Sequence, residues 1–145
     1  MDIYHGSQNT YQIGYHVVWG VKYCKHLLNN SMKLFLSELI RNICDSYDYH
    51  FMCVGIATNH VHLFAGAPPK VSPAKVVQVI KSISARELYK EFPKLRRQLF
   101  GGEIWKDGYY IGTVGEGQTE EKIRGYIGKQ GNYKKTDMQQ LKLFF

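Results

Sequence analysis

Four stretches of the chain concentrate β-branched, aromatic and other apolar residues: 11 to 20, 49 to 57, 60 to 67 and 109 to 114. Each is short and bounded by polar or turn-forming residues, a pattern that predicts strands. Between the first two, residues 31 to 46 space Leu34, Leu39, Ile40, Ile43 and Cys44 with roughly helical period, and Ser31 is the expected N-cap. Ala57-Thr58-Asn59 is short enough to join the second and third strands as an antiparallel hairpin. Ser72-Pro73 then opens a second helix, 73 to 91, with a good cap and a proline at the first helical position. That helix sets Val76, Val77, Ile80, Ile83 and Leu88 near one side and Lys75, Lys81, Arg86 and Lys90 on the other. The basic segment Lys94-Leu95-Arg96-Arg97 precedes the last strand. The order β-α-β-β-α-β predicts an α+β fold: a ferredoxin-like or RRM-like antiparallel sheet with helices on one face.

A further helix is expected near the C-terminus. Thr119 or a neighbour would cap it, and Glu120 and Glu121 suit the positive end of its dipole. Ile123, Tyr126, Ile127 and Gln130 form one stripe, so the isoleucines can anchor the helix while Tyr126 and Gln130 meet the sheet. Gly125 and Gly128 each cost about 1 kcal/mol relative to alanine inside a helix, which suits either a movable helix or close packing.

Strand alternation puts His60 and His62 on one face and Val61 on the opposite, buried one. Two imidazoles, an amide oxygen and a phenol converging on one point suit metal polarisation of a phosphate and attack by the phenol. Each half is weak alone. With six histidines and 11 tyrosines either pairing arises readily by accident, and a strand histidine is more often a packing or surface residue than a ligand.

The wider pattern is more specific. Tyr15-His16-Val17-Val18-Trp19-Gly20-Val21-Lys22-Tyr23, Asn59-His60-Val61-His62-Leu63, and Gly112-Thr113-Val114-Gly115 followed by Tyr126-Ile127-Gly128-Lys129-Gln130 resemble segments of the single-tyrosine HUH transposases, the insertion-sequence-200/605 or IS200-like family. Lys81-Ser82-Ile83-Ser84-Ala85-Arg86 and Leu99-Phe100-Gly101-Gly102-Glu103-Ile104-Trp105 resemble its middle section. Order and spacing match from about residue 11 to residue 131, with no departure at the four chemical positions.

The resemblance implies that His60 and His62 are metal ligands, Gln130 the third ligand and Tyr126 the nucleophile. It further implies a dimeric, metal-dependent DNA strand transferase and endonuclease. Such an enzyme cuts single-stranded DNA beside imperfect hairpins at the ends of an insertion sequence, holds the end as a 5′-phosphotyrosine and rejoins it elsewhere. Three neutral ligands would leave the ion its full positive charge for the phosphate. Histidine donors suit Mn²⁺, Co²⁺ or Zn²⁺ better than Mg²⁺, which serves by abundance, so the expected cofactor is a divalent ion, Mg²⁺ or Mn²⁺. The ester conserves bond energy, so rejoining needs no ATP, in keeping with a sequence without a phosphate-binding P-loop motif. Holding two ends with one matched tyrosine per chain points to a homodimer.

Length and composition agree. At 145 residues the chain is read as one domain, with a core of about 11–131 and 132–145 as a tail. No apolar run is long enough to span a membrane, and Met1-Asp2-Ile3-Tyr4-His5 lacks a signal-peptide pattern, so the expected location is the cytoplasm of a prokaryotic cell, at the nucleoid when acting. Cys24, Cys44 and Cys53 lack disulfide or metal-binding spacing and read as reduced. Residues 1 to 69 balance four basic against four acidic side chains, so the whole net charge of +7 lies from residue 70 onward. With 14% aromatic residues, this suits single-stranded nucleic acid, where cations follow phosphates and rings stack on bases. Lys81, Ser84, Arg86, Lys122 and Lys129 are the expected DNA contacts, and Trp105, Tyr109 and Tyr110 are read mostly as core.

Three rival readings stand beside it, the first disfavoured by the residue at position 64. A histidine-triad nucleotide hydrolase would carry another histidine where Phe64 stands. A noncatalytic RNA or single-stranded nucleic-acid binding module shares the strand order but leaves His60, His62, Tyr126 and Gln130 as coincidence. A domesticated, repeat-processing relative would run the same chemistry on other DNA.

Overall fold

The computed structural model describes residues 2–6, 9–99 and 102–114. Among these, strands β1 (Tyr4–His5) and β2 (Thr10–Tyr11) make a small hairpin. Then come β3 (Tyr15–Gly20), α1 (Asn30–Ser46), β4 (His50–Ile56), β5 (His60–Gly66), α2 (Pro73–Glu91), the one-turn α3 (Leu95–Gln98) and β6 (Tyr110–Thr113). The main sheet runs β4-β5-β3-β6, every pair antiparallel. From β3 onward the β-α-β-β-α-β order and its α+β class are as the sequence predicts. The expected C-terminal helix, with Lys122, Tyr126, Lys129 and Gln130, and the expected tail lie outside the described residues.

Both long helices cover one face of the sheet. Val17 and Trp19 of β3 and Val61, Leu63 and Ala65 of β5 join Leu36, Ile40 and Ile43 of α1 and Val76, Val77, Ile80 and Leu88 of α2 in one core. Full burial of each large aliphatic side chain contributes about 1.5–3 kcal/mol, which makes this face the main source of stability. The other face holds a smaller cluster of Met52, Phe64 and Val114.

Three local expectations are corrected. The predicted 11–20 strand is broken: Tyr11 pairs with Tyr4, and the sheet strand starts only at Tyr15. Between them the backbone crosses the end of β5 so closely that a Cβ at Gly66 would collide with the Ile13 carbonyl oxygen. Helix α1 is capped by Asn29, not Ser31: extended Asn29 accepts a 3.0 Å hydrogen bond from the Met32 amide through Oδ1. Leu34 is 75% exposed, because the buried stripe runs through Met32, Leu36, Ile40, Ile43 and Cys44, and Leu34 lies two residues off that stripe. Ser72 and Pro73 start α2 as predicted, the Ser72 hydroxyl accepting from the Lys75 amide. Cys44 is buried and packs against the core, while Cys24 is exposed.

Candidate metal centre on the sheet face opposite the helices

Strand parity sets the site. With Val17, Trp19, Val61 and Leu63 turned to the helices, His16, Val18, His60, His62 and Phe64 share the opposite face. Antiparallel register places His60 opposite Gly20, His62 between Val18 and Gly55, and Phe64 between His16 and Cys53. The Ala57–Asn59 turn that delivers His60 is held at both sides: Ala57 donates to the His60 carbonyl, and the Thr58 carbonyl accepts from the amides of Leu27 and Leu28.

The imidazoles of His60 and His62 lie 4.9 Å apart between ring centres, their planes 70° to each other. His60 Nδ1 is 2.7 Å from Asn59 Oδ1. An amide oxygen only accepts, so His60 carries its proton on Nδ1 and its lone pair on Nε2. His62 is wholly buried and its Nδ1 lies 3.1 Å from His16 Nε2. His16 in turn stacks on Phe64, ring centres 4.3 Å apart and planes within 6°, with the Tyr110 ring edge-on at 5.7 Å. Burial disfavours protonation of all three. It holds His16 at about 4 and, helped by its histidine neighbours, His62 at about 2; His60 is also lowered, by burial and then by His26. Near neutral pH these rings are therefore uncharged, the form in which imidazole binds a cation.

These features fit a divalent ion. Two neutral nitrogen donors on one rigid strand, each with its Nδ1 engaged by a neighbour, have the arrangement expected of metal-binding histidines. The pair alone is incomplete: among the described residues no group of three or more His, Cys, Asp or Glu is arranged to hold a metal. The third donor and the phenol expected at Gln130 and Tyr126 lie outside the described residues.

A family model described as "Transposase IS200 like" matches residues 9–130. The chain belongs to the IS200-like transposase family. It is 32% identical over 125 residues to the ISDra2 transposase TnpA of Deinococcus radiodurans, covering 86% of this chain and 89% of that protein. It is 28% identical over 116 residues to the transposase for insertion sequence element IS200 of Salmonella typhimurium, covering 80% and 75% of the two chains. A crystal structure of a Deinococcus radiodurans protein described as a transposase superposes with a TM-score of 0.72 at 29% identity, covering 88% of this chain and 97% of that one. A REP-associated tyrosine transposase bound to a REP hairpin, 9% identical, shares the fold with a TM-score of 0.52 over 86% of this chain and 68% of that one.

In this IS200-like transposase the expected DNA contacts on α2 separate. Ser84 is wholly buried; its hydroxyl accepts from Trp105 Nε1 at 3.0 Å and donates to the Lys81 carbonyl at 3.1 Å, so the expectation that it binds phosphate is corrected. Lys81 is also spoken for. Its ammonium donates to the Lys106 and Gly108 carbonyls at 2.9 and 3.0 Å, pinning the segment before β6 to α2. Arg86 is exposed and, among the described residues, pairs with its neighbour Glu87 at 3.2 Å, a surface position suited to contact a polyanion. Trp105 is core, meeting Trp19 edge-on at 5.9 Å.

His16 was not singled out by sequence reasoning as part of the site. Parity within β3 puts it on the face opposite the helices, but its place beside His62 depends on the register between β3 and β5, which residue types alone do not encode.

Proposed function

We propose that this transposase cleaves and rejoins single-stranded DNA next to terminal hairpins of an insertion sequence, through a 5′-phosphotyrosine on Tyr126 and with a divalent metal ion, Mg²⁺ or Mn²⁺, but no ATP. The observation that carries this reading is the His60 and His62 pair: two neutral imidazoles on one face of a central strand, each with its Nδ1 hydrogen-bonded. In this reading His60, His62 and Gln130 hold the ion. When bound, the ion supplies charge to the non-bridging oxygens of the scissile phosphate and orients it for in-line attack.

The protein's own groups do the rest. Tyr126 Oη attacks phosphorus and forms the phosphotyrosine ester, the bond to the 3′ oxygen breaks, and the phenolic proton ends on that released 3′-hydroxyl. Rejoining reverses the exchange with a different 3′-hydroxyl. A free phenol has a pKa of about 10, so its ionisation must be assisted in the transition state. Lys122 and Lys129 flank Tyr126 in sequence and serve either that purpose or the DNA backbone. Two ends are joined by two copies of the chain, which makes a homodimer the working form, with single-stranded hairpin DNA as its partner and the prokaryotic cytoplasm as its setting.

The test is incubation with labelled single-stranded hairpin oligonucleotides drawn from the flanks of the gene, with Mn²⁺ or EDTA, followed by denaturing gel and peptide mapping. A metal-dependent adduct at Tyr126, lost in Tyr126→Phe with hairpin binding intact, is the expected result. Tight binding of a confirmed cognate hairpin without an adduct would turn the reading to a noncatalytic nucleic-acid module. A relative that processes dispersed repeats would form the adduct only on hairpins from elsewhere in the genome.

A further inference from the structure

The two histidines of the candidate centre differ in what holds them. His60 Nδ1 is held by its chain neighbour Asn59, at the half-buried start of β5. His62 Nδ1 is held by His16, 46 residues away on the adjacent strand. A hydrogen bond between two neutral imidazoles has a direction: one ring donates N–H and the other accepts on a lone pair. If His16 donated, His62 would accept at Nδ1 and carry its own proton on Nε2, where no ion could bind. If His62 donates from Nδ1, its lone pair is on Nε2, as in His60.

We propose that His16 is the positioning residue of this centre: its Nε2 accepts the Nδ1 proton of His62, fixing both the tautomer and the rotation of that ring. The proposal rests on the reading of His60 and His62 as metal ligands. Three observations carry it. The His16 ring stacks in parallel on Phe64 and meets Tyr110 edge-on, contacts that favour one placement of its acceptor nitrogen. Its own strand is paired on both sides, with Phe64 and Gly112 as register partners, so the backbone beneath it is equally fixed. His62 is wholly buried, with its Nδ1 within hydrogen-bond distance of His16 Nε2.

An imidazole suits this place better than the carboxylate often found behind a metal-bound histidine. A buried carboxylate beside Phe64 would be costly to desolvate and would cancel part of the ion's charge. A neutral acceptor orients His62 and leaves that charge for the DNA phosphate.

The experiment compares wild type, His16→Leu and His16→Gln, with His62→Ala as control, by Co²⁺ titration, the Co²⁺ absorption spectrum and the imidazole nitrogen resonances of the metal-free protein. Glutamine keeps an acceptor oxygen at the reach of the lost Nε2; leucine removes it and keeps the bulk. We expect wild-type His62 protonated on Nδ1, a 10- to 100-fold loss of Co²⁺ affinity with an altered spectrum in His16→Leu, and recovery of most of both in His16→Gln. A folded His16→Leu protein with wild-type affinity and spectrum would overturn the role of His16 alone. If His16→Leu does not fold, the wild-type resonances still decide, since a His62 ring protonated on Nε2 in the metal-free protein contradicts the proposal. Co²⁺ affinity unaffected by His62→Ala would overturn the metal-site reading itself, and this proposal with it.

Discussion

His16 Nε2 and His62 Nδ1 meet 3.1 Å apart across the β3–β5 pairing, joining β3 to the candidate metal centre on the face opposite the helices. The helix-covered face supplies stability through Val17, Trp19, Val61 and Leu63, while the alternate positions of the same strands carry the histidines of the candidate centre. One stretch of backbone thus serves both purposes, and rigidity in the core is passed directly to the imidazoles.

A second histidine governs the opposite edge of the sheet. His50 stacks on Tyr4, ring centres 3.5 Å apart, and shares a 2.7 Å hydrogen bond with the Tyr11 hydroxyl, so it docks the β1–β2 hairpin on β4. Burial lowers its pKa below 6.5, with Asp48 pulling the other way. The folded arrangement binds the proton less readily than the unfolded chain. Its contribution is therefore complete above pH 6.5 and is lost as pH falls through that value toward the lower folded midpoint. Ring resonances of Tyr4 and Tyr11 followed against pH should report loosening of the hairpin below neutrality, and His50→Phe, which keeps the stack, should abolish the dependence.

Ser84→Ala should destabilise the protein by about 1–3 kcal/mol, because Trp105 Nε1 loses its acceptor inside the core. Affinity for hairpin DNA should not change in the folded fraction. Urea unfolding alongside a binding isotherm checks both; weakened binding at unchanged stability would restore Ser84 as a DNA contact.

Lys81 and Arg86 should part company. Lys81→Met removes two hydrogen bonds from an ammonium to backbone carbonyls and should cost about 1.5–3 kcal/mol of stability with little effect on the salt dependence of DNA binding. Arg86→Ala should leave stability nearly unchanged, since its exposed pair with Glu87 contributes little, and should reduce the slope of log affinity against log salt by about 1. Affinities measured across a salt series distinguish the two.

At the start of α1, Asn29→Ala should cost about 1 kcal/mol through loss of the cap, whereas Ser31→Ala should be neutral or slightly stabilising. Thermal unfolding of the pair is sufficient to rank them.

Local rules carried a good deal of this protein. Ser72-Pro73 announced α2 because the cap and the proline act within a single turn, and the resulting helix, Pro73–Glu91, has the bounds that its apolar period predicts. The shared face of His60 and His62 followed from strand alternation, a property of the backbone itself. The strand and helix order from β3 to β6 followed in the same way, from apolar runs separated by turn residues.

The tertiary structure decided what depends on two segments at once. Leu34 fits a helical period as well as its neighbours do, yet only the docking of α1 on the sheet selects the stripe through Met32, Leu36 and Ile40 and leaves Leu34 in solvent. Lys81 and Ser84 look like free polar groups on an amphipathic helix until the 102–109 segment lies across α2 and gives them carbonyl and indole partners. His16 meets His62 because β3 and β5 pair in one register, and a slip of one residue would turn it to the other face. Sequence alone determined periodicity and local conformation, since these arise within a few residues. Register, helix rotation and the partners of buried polar groups are set by packing the whole core at once, so they became legible only in the folded chain.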